Sequence, residues 1–152
     1  MGSLNVPDGG LVCIDTPILI YSANNHHKYG PALRPLWEAG LRQEVEIVAC
    51  GLIEMEALIG PLKRLRQTGR PDAELTRIQT LLNLGVRLLP VSRPVLINAA
   101  ELRAERPGIR AADAIHLTAS DWSACGMFLT NDRRLLAVSE VPVVYLERVL
   151  AS

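Results

Sequence analysis

The stretch that decides the fold is residues 12–21, Val12-Cys13-Ile14-Asp15-Thr16-Pro17-Ile18-Leu19-Ile20-Tyr21. A short apolar run leads into one acid, and a Thr-Pro pair then opens a second apolar run. The first run is typical of a buried strand, and Pro17 suits the first turn of a helix, where its missing N–H matters least. Burial of an unpaired carboxylate is costly, so Asp15 either caps the helix or faces a cation at the end of the strand.

The bulk composition is that of a globular chain. Hydrophobic residues make up 49% of the 152 residues and charged residues 21%, which excludes a disordered chain. No apolar run reaches the roughly 18 residues of a membrane span, and the N-terminus lacks a signal-peptide pattern. The three cysteines show no CxxC spacing and indicate free buried thiols. We therefore expect a cytoplasmic protein with no membrane partner.

Strand-like and helical patterns alternate along the chain about five times. Residues 1–10 are polar and Gly-rich and indicate a flexible leader, and residues 11–152 are expected to form a single domain. The alternation predicts an α/β fold with a central, mainly parallel sheet of about five strands and helices on both faces. Gly60-Pro61 is expected to break or kink the helix predicted over residues 52–65.

Four acids carry the functional argument. Asp15 and Asp132 each follow a predicted strand, Glu56 lies just inside the helix after the second strand, and Asp113 lies in the first turns of the helix before Met127. Ligands of an open parallel sheet gather at the carboxyl ends of its strands, so we expect the four carboxylates to converge there. Their mutual repulsion would be relieved by a hard cation, and oxygen ligands favour Mg²⁺ or Mn²⁺.

Each acid also has an ordinary structural interpretation. Asp15 caps the following helix, Asp113 complements a helix dipole, Asp132 with Asn131 forms a turn, and Glu56 is solvent-exposed. The joint placement of all four favours the cation site. Such a site suits phosphodiester hydrolysis, with one metal ion or with two.

Four segments together resemble the PIN domain, and within it the VapC-type ribonuclease toxins. They are residues 12–21, 56–61, 110–117 and 128–133. The resemblance implies a PIN-like α/β/α sandwich and a metal-dependent endoribonuclease, dimeric and silenced by a cognate antitoxin, with tRNA or rRNA among the candidate substrates. It also implies that four residues are catalytic and bind the metal: Asp15, Glu56, Asp113 and Asp132. Glu54 is a second candidate near Glu56, and the spacing to Gly60-Pro61 selects Glu56.

Further residues are candidates for supporting roles. Thr130 and Asn131 are expected to hold Asp132 or a metal-bound water, Thr16 follows the first acid, and Arg110 is a candidate substrate contact. The basic cluster over residues 63–70 contacts RNA phosphates or is a solvated helix end. The leucines of the helical hairpin form either a dimer or antitoxin surface or part of the core; they are Leu58, Leu62, Leu65, Leu75 and Leu82.

The histidines are interpreted as structural. His116, three residues after Asp113, is expected to be a structural or surface residue rather than a base, because the metal already supplies the nucleophile. His26 and His27 are interpreted as a solvated pair in a polar loop.

Two other functions are possible for this pattern. Pro17 stands where the family usually has Asn or Ser, and Cys50 and Ile53 stand where it often has Ser and Thr, so a catalytically weak or inactive PIN-fold module that acts through RNA or protein binding is the alternative. A receiver-like phosphoryl acceptor would need a lysine near a late strand, and the lysines, Lys28 and Lys63, are both early.

Overall fold

Five parallel strands form the central sheet of the computed structural model, which describes residues 2–152. The strand order is β3-β2-β1-β4-β5, and every neighbouring pair is parallel. The chain thus builds one half of the sheet outward from β1 and then returns to the other side of β1 to build the second half. The strands are β1 (Leu11–Ile14), β2 (Glu46–Cys50), β3 (Arg87–Leu89), β4 (Met127–Thr130) and β5 (Val143–Tyr145).

Within residues 2–152, seven α-helices cover the two faces of this sheet, which confirms the predicted α/β/α layering. They are α1 (Thr16–Ala23), α2 (Tyr29–Leu41), α3 (Leu52–Thr68), α4 (Ala73–Leu84), α5 (Arg93–Glu105), α6 (Ala111–Trp122) and α7 (Leu146–Ala151). The sequence over residues 133–138 predicts a short helix, but the structure has only a 3-10 turn, Arg133–Leu135. The sequence also predicts that a strand over residues 142–146 closes the chain, whereas α7 follows β5.

The core is divided into two layers because side chains alternate along each strand. Val12 and Ile14 of β1 pack into one layer, with residues of α1, α2 and α4. Cys13 points to the other face and packs into the second layer, with residues of α5 and α6. All three cysteines are free and buried, as expected: Cys13, Cys50 and Cys125.

Helix α3 runs continuously through Gly60-Pro61, so the predicted break does not occur. Pro61 lacks the N–H that would complete one helical hydrogen bond, but its side chain is buried and the helix packs against both α1 and α4. Tertiary packing therefore outweighs the local cost of the proline.

The leucine surface predicted for the hairpin is only partly right. Leu75 and Leu82 are buried and belong to the core, whereas Leu62 is exposed. The exposed apolar residues of α3 also include Met55 and Ile59. Helical spacing places Leu41 on the same apolar stripe as Leu33 and Leu36, but Leu41 is 83% exposed because α2 ends at that residue.

Residues 2–10 have no helix or strand, yet they contact the domain. Leu4 is buried in the first core layer and Val6 packs against it. Met1, the first residue of the predicted leader, lies outside the described residues. The described part of the leader is therefore anchored, contrary to the loose segment that its composition suggested. Within residues 2–152, no helix is both long and apolar enough to cross a membrane.

We predict that Leu4→Ala lowers the free energy of unfolding by about 2 kcal/mol, because it removes buried apolar surface and leaves a cavity. Leu41→Ala is the matched control, since the same atoms are lost from an exposed side chain, and its effect should stay within about 0.5 kcal/mol. Chemical denaturation of both variants measures the difference. Equal effects would show that residues 2–10 do not stabilise the domain.

Candidate active site

The four predicted acids lie on elements that meet at the carboxyl edge of the sheet. Asp15 directly follows β1, and Asp132 lies two residues beyond β4, the neighbouring strand. The order in which the chain adds strands to the sheet reverses between β1 and β4, and such a switch point is where open α/β sheets bind ligands. Glu56 is carried by α3 and Asp113 by the first turn of α6.

Asp15 is almost fully buried and caps helix α1. One carboxylate oxygen accepts from the backbone N–H of Ile18 (3.4 Å), and the other accepts from the hydroxyl of Thr130 (2.5 Å). Both donors are neutral, so neither compensates the charge. Burial raises the pKa of Asp15 to about 6, and the nearby Asp113 carboxylate adds to that rise. The capping interpretation is confirmed, but capping leaves a desolvated negative charge.

Thr130 connects the acids of the two central strands. Its buried hydroxyl donates to Asp15 and accepts from the backbone N–H of Asp132 (3.0 Å). The hydroxyl therefore fixes the position of Asp15 relative to the loop after β4. This is the positioning role that the sequence predicted for Thr130.

Glu56 is held by two donors on one of its oxygens. Oε1 accepts from the Thr16 hydroxyl (2.9 Å) and lies 2.6 Å from Nε2 of His116. His116 is 2% exposed and lowers the pKa of Glu56, with Thr16 contributing in the same direction. His116 is thus buried, as a structural residue would be, but it also contacts a candidate catalytic acid. The two residues are 60 positions apart in the sequence, so sequence spacing gave no signal for this contact.

The other two acids, Asp113 and Asp132, are paired with arginines. Arg110 donates to Asp113 (2.9 Å), and Arg134 donates to both oxygens of Asp132, through Nε (2.9 and 3.1 Å) and a terminal nitrogen (2.5 Å). Arg134 lowers the pKa of Asp132, and Arg110 lowers it further. Arg110 was predicted as a substrate contact, whereas Arg134 was missed. The chain turns after Asp132, and this turn places the Arg134 side chain against the Asp132 carboxylate. Helical periodicity does not predict this contact, because the two residues are only two positions apart.

Asn131 forms its side-chain hydrogen bonds with α1 and α7 rather than with the four acids. Its Oδ1 accepts from the backbone N–H of Glu147 at the start of α7 (3.0 Å), and its Nδ2 donates to the Tyr21 hydroxyl (3.4 Å). The side chain therefore connects β4 to α1 and α7 in this structure, which is different from the expected contact with Asp132.

The acids have the right chemistry for a hard cation, but they are not gathered into a ligand cluster. Over residues 2–152, no group of three or more His, Cys, Asp or Glu side chains is arranged to hold a metal ion. The donor set consists of carboxylate oxygens, which Mg²⁺ and Mn²⁺ prefer, and Asp15 has an uncompensated buried charge. The arginines supply the positive charge at Asp113 and Asp132.

The fold and the order of the acids have counterparts among known proteins. A family model described as the PIN domain matches residues 12–141. No curated protein sequence matched the chain.

Solved structures with the same fold include several toxin proteins. VapBC2 from Rickettsia felis, bound to a DNA fragment from its promoter, is 14% identical with a TM-score of 0.65, covering 88% of this chain and 97% of that one. A toxin–antitoxin complex from Klebsiella pneumoniae is 20% identical with a TM-score of 0.63, covering 89% and 97%. The sarcin-ricin-loop-cleaving toxin VapC20 from Mycobacterium tuberculosis is 14% identical with a TM-score of 0.58, covering 77% and 86%.

We predict that Thr130→Val lowers the free energy of unfolding by about 2–3 kcal/mol, because it leaves a buried carboxylate oxygen and a backbone N–H without a partner. Thr118→Val is the matched control: Thr118 is also buried, but its hydroxyl only donates to the Ala114 carbonyl within α6. Its replacement should cost about 1 kcal/mol or less. Thermal and urea unfolding without divalent ions compare the two. A Thr130 variant no less stable than the Thr118 variant would contradict the role assigned to this hydroxyl.

Proposed function

Because this chain belongs to the PIN domain family, we propose that it is a metal-dependent endoribonuclease of the VapC toxin type. Its catalytic and metal-binding residues are Asp15, Glu56, Asp113 and Asp132, and its cofactor is Mg²⁺ or Mn²⁺. The observation that carries the proposal is the buried Asp15 carboxylate at the switch point of the sheet, where its charge has only neutral hydrogen-bond donors.

The residues around the acids fit this chemistry. When bound, a divalent ion held by the four carboxylates lowers the pKa of a coordinated water and neutralises charge that develops on the phosphate. Thr130 holds Asp15 in place, and Thr16 with His116 fixes Oε1 of Glu56, which leaves its second oxygen for the shared site. Arg110 and Arg134 have exposed guanidinium groups that would be free to contact phosphate if the acids held a cation, and planar guanidinium groups suit phosphate oxygens.

An antitoxin is the protein partner that the neighbours suggest. The similar Klebsiella pneumoniae structure is a toxin–antitoxin complex. We propose that a cognate antitoxin silences the nuclease and that the chain forms a homodimer. The exposed apolar side chains of α3 are candidates for one of these contacts: Met55, Ile59 and Leu62.

A catalytically weak or inactive PIN-fold module is the second candidate, and the arginines favour it. Arg110 and Arg134 already neutralise Asp113 and Asp132, and a pair that stays closed would exclude the cation. Such a module would bind RNA or a protein partner without turnover. Cleavage in Mg²⁺ or Mn²⁺ separates the two candidates.

We predict that the purified protein cleaves RNA from a tRNA and rRNA pool only with Mg²⁺ or Mn²⁺, and that Asp15→Asn reduces cleavage to background while the protein stays folded. The loss is expected because the substitution removes the buried charge that attracts the cation. Asp8→Asn is the control, since Asp8 is exposed and precedes β1 at the opposite edge of the sheet. Circular dichroism verifies folding. Unchanged cleavage by the Asp15 variant would refute the proposed site.

We predict that His116→Leu weakens Mn²⁺ binding about 10- to 100-fold, because residues that orient metal ligands typically contribute this much. His116→Gln should restore part of the affinity, since its amide N–H can replace Nε2 as a donor to Glu56. Calorimetric titration with Mn²⁺ measures both variants without reference to cleavage. Equal affinities in the Leu and Gln variants would assign His116 to packing alone.

A further inference from the structure

Four aromatic rings are stacked beside the candidate site. The chain has only three tyrosines and three histidines, and two of each lie in this aromatic stack, which consists of Tyr21, His26, His27 and Tyr29. The His27 ring stacks on His26 (centroids 4.7 Å apart, planes 22° apart), and His26 stacks on Tyr29 (4.7 Å, 25°). Tyr29 packs on Tyr21 (4.5 Å, 34°). Of the two histidines predicted as a solvated pair, His27 is exposed and His26 is half-buried between two rings.

The backbone holds the stack in one arrangement. Nδ1 of His26 accepts from the N–H groups of Lys28 (3.2 Å) and Tyr29 (3.3 Å), which fixes the imidazole at the start of α2. Asn25 adopts a left-handed conformation (φ 55°), and the N–H of His26 donates to the Tyr21 carbonyl (3.0 Å). This turn brings the loop back over α1. The rings are thus ordered before any ligand arrives, which lowers the entropic cost of binding.

One hydrogen bond connects the stack to the candidate site. The Tyr21 hydroxyl accepts from Nδ2 of Asn131, and Asn131 directly precedes Asp132. Tyr21 itself lies on α1, which begins immediately after Asp15. The stack therefore extends outward from the acids to His27, which is exposed to solvent. Tyr21 lies six residues after Asp15 along α1, about 9 Å along the helix axis at ~1.5 Å per residue, so a strand bound with its phosphate at the acids can extend its next bases toward these rings.

The charge around the stack is nearly balanced. The Lys28 ammonium lies 5.3 Å from the Tyr29 ring centroid and pairs with Glu147, whose other oxygen accepts from the Tyr29 hydroxyl (2.5 Å). A balanced surface with an exposed ring face is suited to the flat π-system of a base rather than to a phosphate. Unpaired bases stack on aromatic side chains in this way, whereas the bases of a duplex are already stacked on each other.

We propose that the aromatic stack is a subsite for an unpaired nucleobase next to the scissile phosphate, with His27 as the outermost stacking surface. This inference rests on the proposed ribonuclease function and names the part of the RNA that the enzyme recognises. It predicts a preference for single-stranded segments over duplex RNA.

The test measures RNA binding apart from cleavage. The full-length Asp15→Asn protein is titrated against a fluorescein-labelled, mixed-sequence single-stranded RNA 12-mer, and anisotropy gives Kd. In this background, His27→Ala should weaken binding about tenfold, within the range of one base–aromatic stack, and His27→Phe should keep the affinity. Trp122→Ala is the control, because Trp122 is an exposed aromatic residue at the far end of α6.

The outcomes separate this inference from the function on which it rests. A loss in His27→Ala but not in His27→Phe or Trp122→Ala, together with weaker binding of a duplex of the same sequence, supports the subsite. Binding that is unchanged in His27→Ala overturns the subsite alone. If the Asp15→Asn protein binds no RNA and the wild type does not cleave it, the ribonuclease proposal fails as well.

Discussion

The hydrogen bond from the Thr130 hydroxyl to the Asp15 carboxylate is the interaction on which the candidate site depends. It joins the ends of β1 and β4, the two strands between which the direction of sheet assembly reverses. The same hydroxyl accepts from the backbone of Asp132, so one buried oxygen orders the acids of both strands. The carboxylate remains desolvated despite this bond. Folding therefore produces a buried negative charge that an added cation would stabilise.

The arginines distinguish this site from a simple group of acids. Arg110 and Arg134 neutralise the carboxylates of Asp113 and Asp132. The other two acids have different partners: Asp15 accepts from neutral donors, and Glu56 contacts His116. The arginine side chain of each of these ion pairs is exposed, so each pair contributes little to stability by itself. A divalent ion can displace them at small cost. Under the proposed function, competition between arginine and metal ion at these acids would decide between an active nuclease and a silent PIN-fold module.

The sequence was sufficient to predict the layers of the fold and the edge at which the acids lie, because strand and helix periods are local and parallel strands place their carboxyl ends together. It failed where distant packing decides the outcome. Helix α3 continues through Gly60-Pro61 because α1 and α4 support it. The contact of His116 with Glu56 joins residues 60 positions apart, and no periodicity reports it. Arg134 reaches Asp132 through a 3-10 turn that the pattern had extended into a helix.

The most direct test of the central claim is a crystal structure of the protein grown with Mn²⁺, in which anomalous scattering locates the metal. The account predicts a Mn²⁺ peak bound by Asp15 and at least one of Asp113 and Asp132, with the arginine partner of that acid displaced from its carboxylate. A map with no Mn²⁺ at this edge of the sheet, and with Arg110 and Arg134 still paired to their acids, would contradict it.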